Sequence, residues 1–279
     1  MKIMLLGGYG MLGAWLYDYL KKRNFEVSIW GRFNTFEKVL AFEKELGNKN
    51  PIILINLMAM TNVDECEKNP LKAFDSNVTS IENIISKNID FDNIHLIHIS
   101  SDQVYDGIGP HKEENISLVN VYSATKYCSE IIAKKVNSTI LRINYVGTSK
   151  IKKRNSFSDW IVNSLREKSN MVLFKDIFFS PVHALDICEM IVKVIENPKI
   201  GVYNLGSRDS ISKANFALEI ARGLNLDTTK VKISNSDSSK KIARRPLDMS
   251  LKVEKFEKAF NVKLPSTSNA IQLTIKDYI

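Results

Sequence analysis

Gly7-Gly8-Tyr9-Gly10-Met11-Leu12-Gly13 follows directly on the apolar run Ile3–Leu6 and opens a stretch of helical period, Met11–Lys22. The spacing fits G-x-x-G-x-x-G. Glycines allow a tight turn and bring backbone amides at a helix N-terminus close to a pyrophosphate, whose charge the helix dipole favours. A glycine-rich turn can also be purely structural, but a strand before it and a helix after it supply the context the binding reading needs. Gly7, Gly10, Met11, Leu12 and Gly13 are therefore expected to hold a dinucleotide.

Outward from this loop the chain alternates. Strand-like runs at Ile3–Leu6, Val27–Trp30, Ile52–Leu57, Ile94–Ser100 and Thr139–Ile143 are separated mostly by segments of helical period. They are continuous apolar runs rather than alternating ones, as expected where helices cover both faces of a sheet. The fold class implied is α/β, a Rossmann-type doubly wound parallel sheet with a small α/β C-terminal substrate lobe. Residues 1–148, with parts of 175–205, are expected to form the nucleotide-binding domain, and 149–279 mainly the lobe. Helices are predicted over Phe157–Lys168, Ala184–Glu196 and Lys213–Leu224, with a short strand at Gly201–Leu205. Ser234–Pro246, rich in Ser, Asp, Lys and Arg, reads as a mobile loop before two final helices.

The end of the second strand bears on the cofactor. An acid there would bind the adenosine ribose 2′-hydroxyl, whereas an arginine can pair with a 2′-phosphate. The chain has Trp30-Gly31-Arg32 and no acid. Arg32 thus favours NADPH, with NADH still possible and a plain solvated charge as the alternative role for Arg32.

Tyr122-Ser123-Ala124-Thr125-Lys126 places a phenol and an ammonium four residues apart, on one face of a helix predicted to run to about Lys135. A neighbouring positive charge lowers a tyrosine pKa, so Tyr122 is expected to act as general acid to a ketone accepting hydride, with Lys126 beside it and the cofactor ribose. Taken alone, Y-x-x-x-K also fits a surface pair. Its weight comes from Ile97-His98-Ile99-Ser100-Ser101-Asp102-Gln103, a strand ending in hydroxyls and an acid. Ligands collect beyond the carboxyl ends of parallel strands, which puts Ser101 in reach of a substrate carbonyl. Ser100 and Asp102 could equally cap a turn or hold a loop.

These residues resemble the extended short-chain dehydrogenase/reductases, and within them the dTDP-4-dehydrorhamnose reductase family, through nearly the whole chain. Asn56-Leu57-Met58-Ala59-Met60-Thr61-Asn62-Val63-Asp64 looks like the family's strand-four motif, followed by Glu67 and Asn77-Val78. Ser100-Ser101-Asp102-Gln103-Val104-Tyr105-Asp106-Gly107 is similar to S-T-D-x-V-F-D-G, with Ser101 where threonine is usual. Arg142-Ile143-Asn144-Tyr145-Val146 resembles R-T-S-W-V. Ser180-Pro181, Asp186, Gly201-Val202-Tyr203-Asn204 and Ala243-Arg244-Arg245-Pro246 match further signatures.

The resemblance implies reduction of a 4-keto-6-deoxy sugar carried on a nucleotide diphosphate. It implies Leu57, Met58 and Ala59 at the cofactor, and Ser101, Asp102, Gln103, Tyr145 and Arg245 at the substrate. Arg245, beside a proline in a loop, is as readily a solvated charge. Leu57 and Met58 stand where the family has small residues, Gln103 replaces an aromatic and Tyr145 a tryptophan, which leaves the sugar and the base open. Two other functions share much of this pattern. An epimerase or dehydratase has the same Tyr/Lys pair, but a dehydratase carries a second acid where Gln103 stands; a regulatory subunit would bind NADP without turnover.

Composition narrows the partners. The chain has 279 residues, 44% hydrophobic and 25% charged, and no apolar run approaches the ~18 residues of a membrane span. Met1-Lys2-Ile3-Met4-Leu5-Leu6-Gly7 lacks the long core of a secretory signal. The net charge of +8 is spread along the chain rather than gathered into a stripe, which points to anionic small molecules and not to nucleic acid. Cys66, Cys128 and Cys188 are odd in number and widely spaced, which argues against disulfides and a metal site and for a cytoplasmic location. Tyr127, Cys128, Ile131 and Ile132 fit either a homodimer contact or the core.

Overall fold

The computed structural model describes residues 2–30, 52–86, 93–152, 154–238 and 242–279. The elements that frame the cleft are β1 (Lys2–Leu6), α1 (Met11–Lys22), β2 (Glu26–Trp30), β3 (Ile52–Asn56), β4 (Ile94–Ser101), α2 (Val121–Ala133), β5 (Ser138–Ile143), α3 (Phe157–Arg166), α4 (Ala184–Glu196), β6 (Gly201–Leu205) and α5 (Lys213–Gly223). The six strands form one sheet in the order β6-β5-β4-β3-β1-β2, with every neighbouring pair parallel. This is the doubly wound α/β sheet that the sequence implies.

The continuous apolar runs have a direct cause. Successive side chains of a strand go to opposite faces. Ile3 and Leu5 enter one core with Leu12 and Leu16 of α1 and Ile187 and Ile191 of α4. Met4 and Leu6 enter another, with Ile81, Ile84 and Ala133. Both faces are covered, so every position from Ile3 to Leu6 buries apolar surface, at about 1.5–3 kcal/mol for each fully buried side chain. Ile53 and Ile55 of β3 go to the first core and Ile52 and Leu54 to the second in the same way.

The order of the sheet reverses between β1 and β3, since β2 lies outside β1 on one side and β3, β4 and β5 follow on the other. A crevice opens beyond the carboxyl ends at such a switch point, and ligands bind there. A third core lies beyond it, formed by Ile161, Val162 and Leu165 of α3, Phe216, Ala217 and Ile220 of α5, and Ile271. Short strands edge this part: Met171–Phe174 pairs with Val231–Ser234, and Phe178–Phe179 lies between Ile211–Ser212 and Asp248–Met249. Although late in the chain, α4 and β6 return to the first sheet and its core.

Several boundaries differ from expectation. Helix α3 stops at Arg166, and α2 ends at Ala133 rather than about Lys135. The segment expected to be a mobile loop from Ser234 begins with order: Ser234 closes a strand, and Ser236 donates from its amide and hydroxyl to Asp176. Two helices, Glu254–Phe260 and Thr267–Lys276, end the chain. Among the described residues no helix is long and apolar enough to cross a membrane, and no cluster of His, Cys, Asp and Glu could hold a metal.

Candidate active site

The glycine loop is shaped by contacts that only glycine tolerates. Gly7 has φ +77° and donates its amide to Trp30 O at the end of β2. A Cβ there would lie 3.0 Å from Met58 N, so the loop presses on the chain leaving β3. At Gly13 a Cβ would stand 2.6 Å from Gly7 O and 2.7 Å from the backbone of Gly8, so α1 sits directly on the loop. Gly10 is the N-cap of α1 and offers no side-chain cap, which leaves first-turn amides for a ligand. Gly7, Gly10, Met11, Leu12 and Gly13 all line one cleft of about 290 Å³.

A Gly10→Val variant is expected to lose cofactor binding and keep its fold. A Cβ at Gly10 meets only Gly7 O, at 3.1 Å, so the added methyls project into ligand space. Cofactor fluorescence titration beside circular dichroism measures both effects. Tight binding by the variant would make the loop a structural turn.

At the other wall, β4 ends in Ser101, whose hydroxyl accepts from Gln103 N at 3.2 Å and caps the short turn Asp102–Val104. Ser101 Oγ donates to Asp102 Oδ1, and Asn144 Nδ2 donates to Asp102 Oδ2. Burial pushes the Asp102 carboxyl up, while Asn144 and Lys213 pull it back. Facing this turn is α2, started by Asn120 in a reciprocal capping box with Ser123 and tied further by Glu67, which accepts from Val121 N. Tyr122 and Lys126 stand one helical turn apart on α2, 7% and 2% exposed, and both line the cleft.

The electrostatics correct one expectation. Burial pushes the Tyr122 phenol up to about 12; a hydrogen bond with Ser101 opposes this and the Asp102 charge adds to it. The net effect is upward, the opposite of what the neighbouring Lys126 charge alone would give. The Lys126 ammonium donates to Ile99 O at 2.8 Å, and burial brings it down to about 8 against the upward pull of Glu130. The phenol is thus held protonated by its surroundings, the form a general acid requires.

Beneath these groups lies a buried polar layer that sequence reasoning missed. Glu130, one turn past Lys126, accepts from Ser100 Oγ at 2.5 Å, from Arg142 Nε at 2.9 Å and from Arg142 Nη2 at 2.6 Å. Burial alone would lower the Arg142 guanidinium, but the hydrogen bonds and charge of Glu130 outweigh it and hold it above its ordinary value. Alongside, Asn56 Oδ1 accepts from Met58 N and its amide nitrogen donates to His98 Nδ1, which leaves His98 Nε2 facing Ser129 Oγ. Burial, and then the Lys126 charge, keep His98 neutral by holding its pKa well below the usual imidazole value.

The cleft gathers most of the residues singled out from sequence: the five loop residues, Leu57, Ala59, Ser101, Asp102, Gln103, Tyr122, Lys126 and Tyr145. Met58 is not among its lining; its side chain is buried in the core with Met4, Leu6 and Trp30. Arg245 lines an adjoining pocket instead and pairs with Asp64 at 3.0 Å. Arg32 lies outside the described residues. Asn144, Arg154, Asn155, Ser156 and Phe157 also line the cleft and were not foreseen. The capping box Ser156-Phe157-Ser158-Asp159, readable as S-x-x-D before an apolar helix, was the available signal.

A family model described as the RmlD substrate binding domain matches residues 1–279. The chain belongs to this family. It is 27% identical to the dTDP-4-dehydrorhamnose reductase of Escherichia coli over 289 residues, covering 95% of this chain and 94% of that protein. It is 26% identical to the spore coat polysaccharide biosynthesis protein SpsK of Bacillus subtilis, covering 87% and 86%. In fold it superposes on the dTDP-4-dehydrorhamnose reductase of Bacillus anthracis, solved in complex with NADP, with a TM-score of 0.87, 22% identity and 99% of each chain covered.

Proposed function

We propose that this RmlD-family protein is an NADPH-dependent reductase of a nucleotide-linked 4-keto-6-deoxy sugar, similar to dTDP-4-dehydrorhamnose reductase. The observation that carries the reading is the convergence of Ser101, Tyr122 and Lys126 on the same cleft as the glycine loop. When bound, the reduced nicotinamide would supply hydride. Ser101 turns its hydroxyl from Asp102 to the keto oxygen and orients it. Tyr122 gives its phenolic proton to that oxygen as charge develops. Lys126 holds the cofactor ribose through its ammonium.

The substrate half of the reading rests on the adjoining pocket, reached past Gln103, Asn144 and Phe157, which line both spaces. Phe157 and Trp160 stack there with ring centroids 5.9 Å apart, suited to a planar base. Arg154 in the cleft and Arg245 in the pocket bring positive charge to where a diphosphate would run. Residues 149–279 thus mainly supply the sugar-nucleotide lobe. The unpaired cysteines fit a cytoplasmic enzyme, and α2 is the candidate homodimer contact.

The test is a panel of nucleotide-linked 4-keto sugars with NADPH and NADH. Stoichiometric NADPH oxidation with a dTDP-4-keto-6-deoxy sugar is expected. Sugar conversion without net NADPH loss would mark an epimerase, and tight NADPH binding without any turnover a regulatory subunit. Arg32, read from sequence as the partner of the 2′-phosphate, should contribute about 1.5–3 kcal/mol to the preference for NADPH, roughly ten- to a hundredfold in affinity. Equal dissociation constants for the two cofactors, or an unchanged preference in Arg32→Ala, would remove Arg32 from that role.

A further inference from the structure

Among the described residues, one buried side-chain polar atom has no hydrogen-bonding partner: Oε1 of Gln103. Buried polar groups are normally paired, and an unpaired one costs stability, so each exception calls for a cause. The place of this one supplies it. Gln103 follows Ser101 by two residues on the same short turn, and its own amide is tied to Ser101 Oγ at 3.2 Å. It lines both the catalytic cleft and the adjoining aromatic pocket.

The neighbouring acceptors on this wall, unlike Gln103 Oε1, already have partners. Asp102 Oδ1 accepts from Ser101 and Oδ2 from Asn144, and Ser101 Oγ already accepts from Gln103 N. Tyr122 and Lys126 present donors to the cleft. A keto sugar brings hydroxyls that must also donate, and desolvating one without an acceptor is costly. Gln103 Oε1 is the acceptor held ready on the turn that carries the carbonyl-binding serine.

We propose that Gln103 is a specificity-determining residue whose Oε1 accepts a hydrogen bond from a ring hydroxyl of the substrate close to the keto carbon. The enzyme therefore selects sugars bearing that hydroxyl over their deoxy analogues. This rests on the reductase reading given above, but its test does not depend on turnover.

The experiment compares wild type and Gln103→Met on a dTDP-4-keto-6-deoxy sugar and on its 2-deoxy and 3-deoxy analogues. Methionine keeps the length of the side chain and removes the strong acceptor. Wild type should lose about tenfold in kcat/KM on one of the two analogues, mainly through KM, the size expected for one neutral hydrogen bond in a buried site. Gln103→Met should treat the parent sugar and that analogue alike, with unchanged NADPH affinity and a melting temperature no lower than that of wild type. Discrimination retained in full by the variant, or no discrimination by wild type, overturns the proposal. Calorimetric titration of dTDP-rhamnose and its deoxy analogues in the presence of NADP gives the same comparison without chemistry. If sugars bind but none is reduced, the reductase reading fails while the titration still decides Gln103; if no sugar nucleotide binds, both fail.

Discussion

Tyr122→Phe is expected to lower kcat by about 10²–10⁴-fold, the usual cost of removing a positioned general acid, with little change in cofactor affinity. The ring is 7% exposed and packs with Val63, Cys66 and Ala243, contacts that phenylalanine keeps. Only the proton is lost. Because burial holds this phenol at about 12, it remains protonated across the neutral range, and its own titration should not limit reduction there. Lys126 is different. With its ammonium brought down to about 8, the positive charge is present below that pH and disappears as pH rises through it. Cofactor affinity and rate should therefore both decline on the alkaline side from about pH 8, earlier than a solvated lysine would permit. Lys126→Met should impair both parameters at neutral pH and flatten that alkaline limb. A Tyr122→Phe enzyme that reduces a 4-keto sugar nucleotide at near wild-type rate would require another proton donor.

What the sequence displayed and what it hid divide along a physical line. β1, β3 and the glycine loop were legible because both faces of the sheet are covered, so that burial writes itself as unbroken apolar runs, and because a tight turn under a helix admits only glycine at Gly7 and Gly13. Ser101, Tyr122 and Lys126 were legible because parallel topology fixes where strand ends and the following helix meet. Side-chain direction was not. Met58 and Leu57 are adjacent just past β3, yet Met58 is buried with Met4 and Trp30 while Leu57 lines the cleft. Asn144 comes to the cleft from just past β5, and Arg154 and Phe157 from the approach to α3 and its first turn; the capping box marks that helix start but not the juxtaposition. The influence of Lys126 on Tyr122 was inferred from spacing alone. Desolvation, which acts in the opposite direction, dominates the net shift.

The same reasoning sets the expectation for Glu130→Gln. Glu130 and Arg142 are 0% and 1% exposed and share two hydrogen bonds, and Arg142 Nη1 also donates to Tyr105 and to Glu113 O, each at 2.6 Å. Glutamine keeps the shape but leaves the guanidinium buried without its counter-charge. Breaking a buried pair from one side costs about 3–5 kcal/mol. Against a total stability of about 5–15 kcal/mol this is large, and for a chain of this size it should lower Tm by roughly 6–20 °C. Removing both charges in Glu130→Gln/Arg142→Met should cost less than the two single losses added together, because no ion is then left unpaired. The functional effect has its own sign. Glu130 raises Lys126 against burial, so its loss should move the alkaline decline in cofactor affinity to lower pH in whatever fraction remains folded. Thermal melts of the two single variants and the double variant, with NADPH titrations across pH at a temperature where all are folded, separate the two effects. A Glu130→Gln protein that melts within a degree or two of wild type would show that Arg142 finds compensation elsewhere. An unmoved alkaline limb would show that the carboxylate anchors β4, β5 and α2 to one another without setting the charge of Lys126.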